Sequence, residues 1–403
     1  MPMITPRTEI DRAEVGPFDH EPRTRMVFGP GTVDRLGELA RALSARRVLL
    51  VTDCGIVSAG HAERARRSLE TAGLSVAVFD RAIENPTTRC VEDCRDFAQT
   101  GGIDTIVGLG GGSSLDTAKG CNFLLTNGGR MPDYRGVGKA TQPMLPLIAV
   151  PTTAGTGSEC QSFALITDET THQKMACGDP KAAARIAILD PTLTVSQPTR
   201  VTACTGIDAI AHAVETAVTT KRTPLSQLYS FAAFQLTLSS LPRVLENPDD
   251  LEARGRMLLG AAWAGTAIEN SMLGAAHSAA NPLTAHFGIV HGEAVGLMLP
   301  WIVRFNAEEP GVRDAYAALA AAAGVARPDD TPDAAVGALL ERLDSLLLLA
   351  GMPRVPARTA DRAALPQLAR EAAAQWTASF NPRPITAPDF ERLYETAFSG
   401  HRV

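Results

Sequence analysis

Aromatic side chains are scarce in this sequence: three Trp, four Tyr and thirteen Phe make up 5% of 403 residues. No uncharged apolar run reaches the roughly 18 residues that a membrane-spanning helix needs, so no spanning segment is expected. The opening stretch MPMITPRTEIDRAEVGPFDHEPR is charged and broken by proline, unlike a signal peptide. No block of one charge sign occurs, and 38 basic against 44 acidic residues leave a net charge of −6. That balance gives neither nucleic acid nor an anionic membrane a reason to bind. Seven cysteines (Cys54, Cys90, Cys94, Cys121, Cys160, Cys177, Cys204) form no C-x-x-C pair. An odd, scattered set argues against a disulfide framework and for reduced thiols in a cytoplasm. Internal repeats and low-complexity linkers are also missing. What remains, 45% hydrophobic and 20% charged, is the profile of a soluble globular protein long enough for two domains.

The two halves of the chain have different grammar. RVLLVTD (47–53), SVAVFD (75–80), DTIVGLG (104–110) and PLIAVPTT (146–153) are short, β-branched or leucine-rich runs that end in turn signals. Between them lie GHAERARRSLETAG, TRCVEDCRDFAQTGG and SSLDTAKGCNFLLTN, with apolar residues three and four apart. Alternation of this kind predicts an α/β domain with a parallel, Rossmann-like sheet, whose ligands bind at the carboxyl ends of the strands. From about Thr199 the strand signals vanish. LSQLYSFAAFQLTLSSLPRVL, LEARGRMLLGAAWAGTAIENSML, RDAYAALAAAAG and TPDAAVGALLERLDSLLLLAG read as helices, the last with a Thr cap, a Pro at its first position and a Gly after its end. We therefore expect an α/β dinucleotide-binding domain over 1–197 and an all-α domain over 198–403.

GLGGGSSLDTAKG (108–120) follows one predicted strand and opens a helix. Three glycines let backbone approach a bulky anion, and amides at a helix start point toward it. The same residues also suit an ordinary capped turn. The stretch is neither G-x-G-x-x-G nor a G-K-[ST] loop, so it speaks of phosphate more clearly than of one nucleotide. PTTAGTGSE (151–159) is a second hydroxyl-rich turn at a strand's end, suited to a pyrophosphate or ribose, or simply to capping. Asp53 ends the first of these strands. A carboxylate there can accept from ribose hydroxyls and repel a 2′-phosphate, favouring NAD over NADP, or it can cap the turn itself.

GIDAIAHAVE (206–215) places Asp208 and His212 four apart in a helical pattern, on one face and at chelating separation. His277 and His291 are too far apart for one face; they belong to a helix and to the loop or helix after it, with Pro282 and Gly288 supplying the break. Together the four offer an O,N,N,N set for Fe²⁺, Zn²⁺ or Mn²⁺.

GGGSSLDTAKG, PTTAGTGSE, GIDAIAHAVE and HGEAVGLMLP, in that order, resemble the successive signature segments of the iron-containing (group III) alcohol dehydrogenase family, within the dehydroquinate synthase-like superfamily. FGPGTVDRLGEL, VTDCG and ENPTT extend the likeness toward the amino terminus. The resemblance implies an active site in a cleft between an α/β and a helical domain, with metal ligands at Asp208, His212, His277 and His291. It implies NAD contacts from Asp53, Asn85, Gly111, Gly112, Ser113, Asp116, Thr152, Thr153 and Lys174. It further implies a small-molecule alcohol or aldehyde substrate and a homo-oligomer, a dimer or larger.

One position departs from the family. Many relatives carry a second histidine four residues after the one matching His277, implicated in proton transfer, and this chain has Asn281. An amide hydrogen-bonds but carries no proton at neutral pH. Asn281 and His277 are the residues expected to act in the chemistry; His286 is read as structural or pocket-lining. The expected activity is NAD-dependent, divalent-metal-dependent interconversion of an alcohol and its aldehyde or ketone (EC 1.1.1.-). The competing readings are a maleylacetate-type reductase, a dehydroquinate synthase-like lyase using NAD and metal, and a binding module that has lost its chemistry. The lyase calls for Lys and Arg to hold an acidic substrate, and the segments around the metal set contain none.

Overall fold

The four expected strands form the middle and one edge of a six-stranded sheet. The computed structural model describes residues 18, 20–170, 173–352 and 362–399. Among them the strands are β1 (Arg25–Phe28), β2 (Arg47–Val51), β3 (Ser75–Phe79), β4 (Thr105–Gly110), β5 (Gly136–Val137), β6 (Leu147–Pro151), β7 (Phe163–Thr167), β8 (Lys174–Gly178) and β9 (Ile186–Leu189). The main sheet runs β1-β9-β6-β4-β2-β3 with every pairing parallel. A second, three-stranded sheet, β5-β8-β7, has one parallel and one antiparallel pairing.

Both faces of the main sheet are covered, and this explains its apolar strands. The helices of this region are α1 (Leu36–Ala42), α2 (Cys54–Ser58), α3 (His61–Thr71), α4 (Thr88–Gln99) and α5 (Gly112–Asn127). Val48, Leu50, Val107, Leu109, Ile148 and Val150 pack on one side with Leu36 and Leu39 of α1 and Leu69 of α3. Their strand neighbours Leu49, Val51, Ile106, Leu147 and Ala149 pack on the other with Cys94 of α4 and Leu115, Ala118 and Cys121 of α5. The alternation is the period-two signature of a strand buried on both faces.

The chain reverses its direction of growth across the sheet between β2 and β4, which are neighbours. The carboxyl ends of two strands at such a reversal make the crevice where α/β sheets bind ligands. Asp53 and Gly111 stand just beyond those two ends.

Among the described residues after β9 the long elements are all helices: α6 (Thr199–Thr216), α7 (Pro224–Glu246), α8 (Leu251–Ser271), α9 (Ala275–Phe287), α10 (His291–Asn306), α11 (Pro310–Ala322), α12 (Pro332–Leu349), α13 (Leu365–Ala373) and α14 (Ala387–Ser399). The punctuation read for α12 is realised. The Thr331 hydroxyl accepts from the Ala334 amide, Pro332 opens the helix, and Gly351 takes a left-handed φ of 66° after it.

Two compact units emerge from the packing: Glu21–Thr202 with Asn247–Gly265, and the described parts of Ala203–Glu246 with Thr266–Val403. Two contacts tie 247–265 to the sheet unit. Arg254 donates through Nη1 to the Thr194 carbonyl (2.6 Å), and Gly265 lies against Gly157 so closely that a Cβ on Gly265 would stand 2.2 Å from the Gly157 oxygen. No helix among the described residues is long and apolar enough to cross a membrane.

Candidate metal and nucleotide sites

In the sheet unit, β4 ends at Gly110, Gly111 precedes the helix, and α5 begins at Gly112. Packing alone demands two of these glycines. A Cβ would lie 2.5 Å from Ser114 Oγ at Gly110, where φ is +147°, and 2.8 Å from Thr156 Cγ2 at Gly112. The first amides of α5 have no intrahelical acceptor and lie at the positive end of a helix of 16 residues. The capped-turn and phosphate readings of this loop are compatible in one geometry.

Asp53 likewise serves its own turn. Its Oδ1 accepts from the Ile56 amide (3.0 Å), capping α2, and its Oδ2 accepts from Ser114 Oγ (2.9 Å). Asn85 holds a left-handed φ of 51°. Its amide donates to Ser113 Oγ (3.3 Å), and its Oδ1 accepts from Lys174 Nζ (3.2 Å), so three residues far apart in sequence meet. Thr152, buried at the end of β6, donates its amide to the Gly110 carbonyl (3.0 Å), and Thr153 stands beside Gly111. Asp116 differs. It is buried, with Oδ1 accepting from Ser158 Oγ (2.8 Å) and Oδ2 from the Leu165 amide (3.2 Å). Burial pushes its carboxyl up, against the pull of Lys119.

Sequence reasoning missed two charged residues here. Lys119 is fully buried, and its Nζ donates to the Ser158 carbonyl (2.6 Å), Ser158 Oγ (2.9 Å) and the Phe163 carbonyl (2.8 Å). Glu159 is buried with no hydrogen-bond partner at Oε1, and burial pushes its carboxyl up to about 7.

In the helical unit, α6 carries Asp208 and His212 one turn apart, α9 carries His277, and His291 is the first residue of α10. Their Nε2 atoms surround one oxygen, Asp208 Oδ1: His277 at 3.3 Å, His212 at 3.5 Å and His291 at 3.9 Å. The His212 and His277 rings stack with centroids 4.7 Å apart, and His277 and His291 tilt at 5.4 Å. One donor atom from each of Asp208, His277 and His291 lies within 4.8 Å of the others. Two ligands each about 2.1 Å from a tetrahedral cation are roughly 3.4 Å apart, so the spacings fit a divalent ion bound by one oxygen and imidazole nitrogens.

The electrostatics agree. Burial would raise Asp208, but His212, His277 and His291 outweigh it and hold the carboxylate well below its ordinary range. Burial would lower His277, but Glu215 and Asp208 reverse that and raise it to about 9.

Glu215, also missed from sequence, explains how His277 is aimed. Its Oε2 accepts from His277 Nδ1 and its Oε1 from the Ala276 amide (2.7 Å), both buried. An Nδ1–H bound to a carboxylate aims Nε2 at Asp208 and makes it the atom that would ligate a metal. The signal was present: Glu215 follows Asp208 by seven residues and His212 by three, on the same helical face.

Pro282 does not supply the break expected between His277 and His291. It lies inside α9, which continues to Phe287; the break is Gly288, left-handed at φ 63°. Pro282 has no N–H to give the Ser278 carbonyl one turn earlier; at the next residue Tyr394 Oη donates to the Ala279 carbonyl (2.6 Å). His286 is exposed and pairs with Glu371 at 2.7 Å, in line with the structural alternative. Asn281 donates from Nδ2 to Gln375 Oε1 (3.1 Å).

Residues 22–191 match the family described as iron-containing alcohol dehydrogenase, and residues 202–398 match the Fe-containing alcohol dehydrogenase family, C-terminal. The chain therefore belongs to the iron-containing alcohol dehydrogenase family. It is an oxidoreductase acting on CH–OH donors, and NAD and iron are the family's cofactors. It is 37% identical over 280 residues to an NAD-dependent methanol dehydrogenase of Bacillus methanolicus, covering 70% of this chain and 74% of that one. Among solved structures, a 1,3-propanediol oxidoreductase superposes with a TM-score of 0.91 at 29% identity, over 95% of this chain and all of that one. A sulfoacetaldehyde reductase from Bifidobacterium kashiwanohense, solved with NAD⁺, gives 0.85 at 27% identity, over 95% and 99%. The expected α/β-then-α fold class is borne out.

Proposed function

We propose that this enzyme interconverts an alcohol and its aldehyde or ketone by hydride transfer with NAD, in a reaction that depends on a divalent metal, iron or alternatively zinc or manganese. The single observation that carries the reading is the convergence of His212, His277 and His291 on Asp208 Oδ1, with Glu215 behind His277. Residues 198–403 would hold the metal through Asp208, His212, His277 and His291. Residues 1–197 would hold NAD through Asp53, Asn85, Gly111, Gly112, Ser113, Asp116, Thr152, Thr153 and Lys174.

When bound, the cation supplies a Lewis acid that favours the alkoxide form of the alcohol, and NAD⁺ supplies the hydride acceptor. The chain's own part is orientation. Glu215 fixes the tautomer of His277, the first turn of α5 would receive the pyrophosphate, and the Asp53 carboxylate would disfavour a 2′-phosphate. The Asn281 amide cannot take up the alcohol proton, so the proton would have to pass to water. Asp116 acts by positioning: both its oxygens are engaged by Ser158 and Leu165.

A lyase acting on an acidic substrate needs cations beside the metal ligands. The helical stretches that carry the ligands, 206–216 of α6, α9 and 291–303 of α10, contain no Lys or Arg, which favours a neutral substrate. All seven cysteines are free thiols, which supports a cytoplasmic setting; light scattering would test the homo-oligomer. The decisive experiment measures NADH formation across a panel of alcohols after chelation and re-addition of Fe²⁺, Zn²⁺ or Mn²⁺. His277→Ala should lose both metal and turnover, and retention of both would overturn the assignment.

A further inference from the structure

The stretch 377–383 is bonded at or beside an end of each of the three helices that carry the metal-ligand set. Thr377 shares a hydrogen bond with Ser278, the residue after His277 near the start of α9 (2.7 Å). The Phe380 carbonyl accepts from the Thr220 amide just beyond the end of α6 (2.9 Å), and Arg383 donates from Nη1 to the Phe305 carbonyl at the end of α10 (2.7 Å). Asn381 lies at the centre of this set. α9 opens after Gly274, which has no side chain to cap the first amides. Two residues from distant parts of the chain do so instead. Asn381 Oδ1 accepts from the Ala275 amide (3.2 Å) and Glu215 Oε1 from the Ala276 amide (2.7 Å). The two oxygens flank Gly274 so closely that a Cβ there would stand 3.2 Å from the first and 3.1 Å from the second.

Asn381 also pairs with Asn306, the last residue of α10, the helix that His291 opens. Asn306 Nδ2 donates to Asn381 Oδ1 (3.1 Å), and Asn381 Nδ2 donates to Asn306 Oδ1 (2.7 Å) and to the Arg383 carbonyl (2.7 Å). Both asparagines are buried. A primary amide has two donor hydrogens and two acceptor lone pairs, and Asn381 uses all four. Turned over, it would set N–H against N–H at Ala275 and oxygen against oxygen at Asn306, so its orientation is fixed. We propose that Asn381 is a positioning residue for the metal site: paired with Asn306, it locks the start of α9, and with it Glu215 and His277, to the helix that bears His291. His277 is the third residue of α9, so a shift of the helix start carries its imidazole away from Asp208. This inference rests on the metal reading of Asp208, His212, His277 and His291.

The test titrates the full-length apo-protein with Co²⁺, read by the visible absorption of the bound ion and by competition with a calibrated chelator. It compares the parent with Asn381→Ala, Asn306→Ala and Tyr316→Phe, and records the melting of each apo-protein alongside. Tyr316 Oη only accepts from Asn306 Nδ2 (3.3 Å), at the outer end of the pair, so Tyr316→Phe should match the parent. Asn381→Ala should weaken Co²⁺ about tenfold, the low end for a group behind a ligating histidine, and Asn306→Ala less, both with a shifted absorption band. Parent-like affinity and absorption in both asparagine variants, whatever their melting temperatures, overturns the positioning role. If Asn381→Ala does not fold, Asn306→Ala, which leaves the acceptor for Ala275 in place, decides the matter by the same two measurements. A parent that binds no Co²⁺, or binding that survives His277→Ala unchanged, sinks the metal reading itself and this inference with it.

Discussion

Replacing Glu215 with glutamine keeps the size of the side chain and removes one acceptor. The carboxylate now accepts two buried donors at once, His277 Nδ1 and the Ala276 amide. Glutamine can serve only one. If its oxygen stays with Ala276, its NH₂ faces Nδ1 and forces the imidazole into the tautomer protonated at Nε2, the atom that faces Asp208. If its oxygen turns to His277, two N–H groups collide at Ala276. Either way the metal-facing lone pair or a buried hydrogen bond is lost. Loss of a partner behind a ligating histidine costs about 10–100-fold in metal affinity, or about 1.4–2.8 kcal/mol. The assay is competition for Fe²⁺ or Zn²⁺ between the apo-protein and a calibrated chelator, with NADH formation at saturating metal as a second reading. Unchanged affinity and turnover in Glu215→Gln would falsify the positioning role. Equal destabilisation of the apo-protein, with affinity intact, would reduce Glu215 to a packing residue.

Other outcomes follow from the same geometry. Glu159 has its folded pKa raised from 4.5 to about 7 by burial. The unfolded chain releases that proton earlier, so this group's contribution is fully present below about pH 4.5 and is lost as pH rises through about 7, by up to about 3 kcal/mol. Denaturant titrations should therefore show Glu159→Gln gaining on the parent between pH 5 and pH 8; a pH-independent difference would refute this. Gly265→Ala places a Cβ 2.2 Å from the Gly157 carbonyl oxygen, and overpacking should outweigh the better helix propensity of alanine by about 1–3 kcal/mol in denaturant titration. Asp208→Asn should bind Zn²⁺ at least tenfold more weakly by chelator competition, since an amide oxygen supplies no charge to the cation; unchanged affinity would remove Asp208 from the ligand set.

Much of the fold was legible because its signals are local. The strands now seen as β2, β3, β4 and β6 are apolar runs ended by turns, and α12 carries its own cap, proline and glycine. β1 and β9 escaped because four-residue strands gain their identity from pairing with each other across 161 residues of chain, register Arg25 to Ile186. The small sheet escaped for the same reason: β5 has two residues, and its pairing with β8 is the only thing that makes it a strand. Pro282 misled because proline marks a break only on average, and here α9 runs through it.

At the site, residue types at helical spacing were readable, and their partners were not. Asp208 and His212 advertise themselves by being four apart, whereas Glu215 matters only because α9 brings His277 to it from 62 residues away. The same limit applies to Asn281. From sequence it is a missing histidine, a loss of proton-carrying capacity and nothing more. Beside Gln375, 94 residues later, it becomes half of a donor–acceptor pair. A single substitution inside a motif thus reads as a defect until the fold supplies its partner.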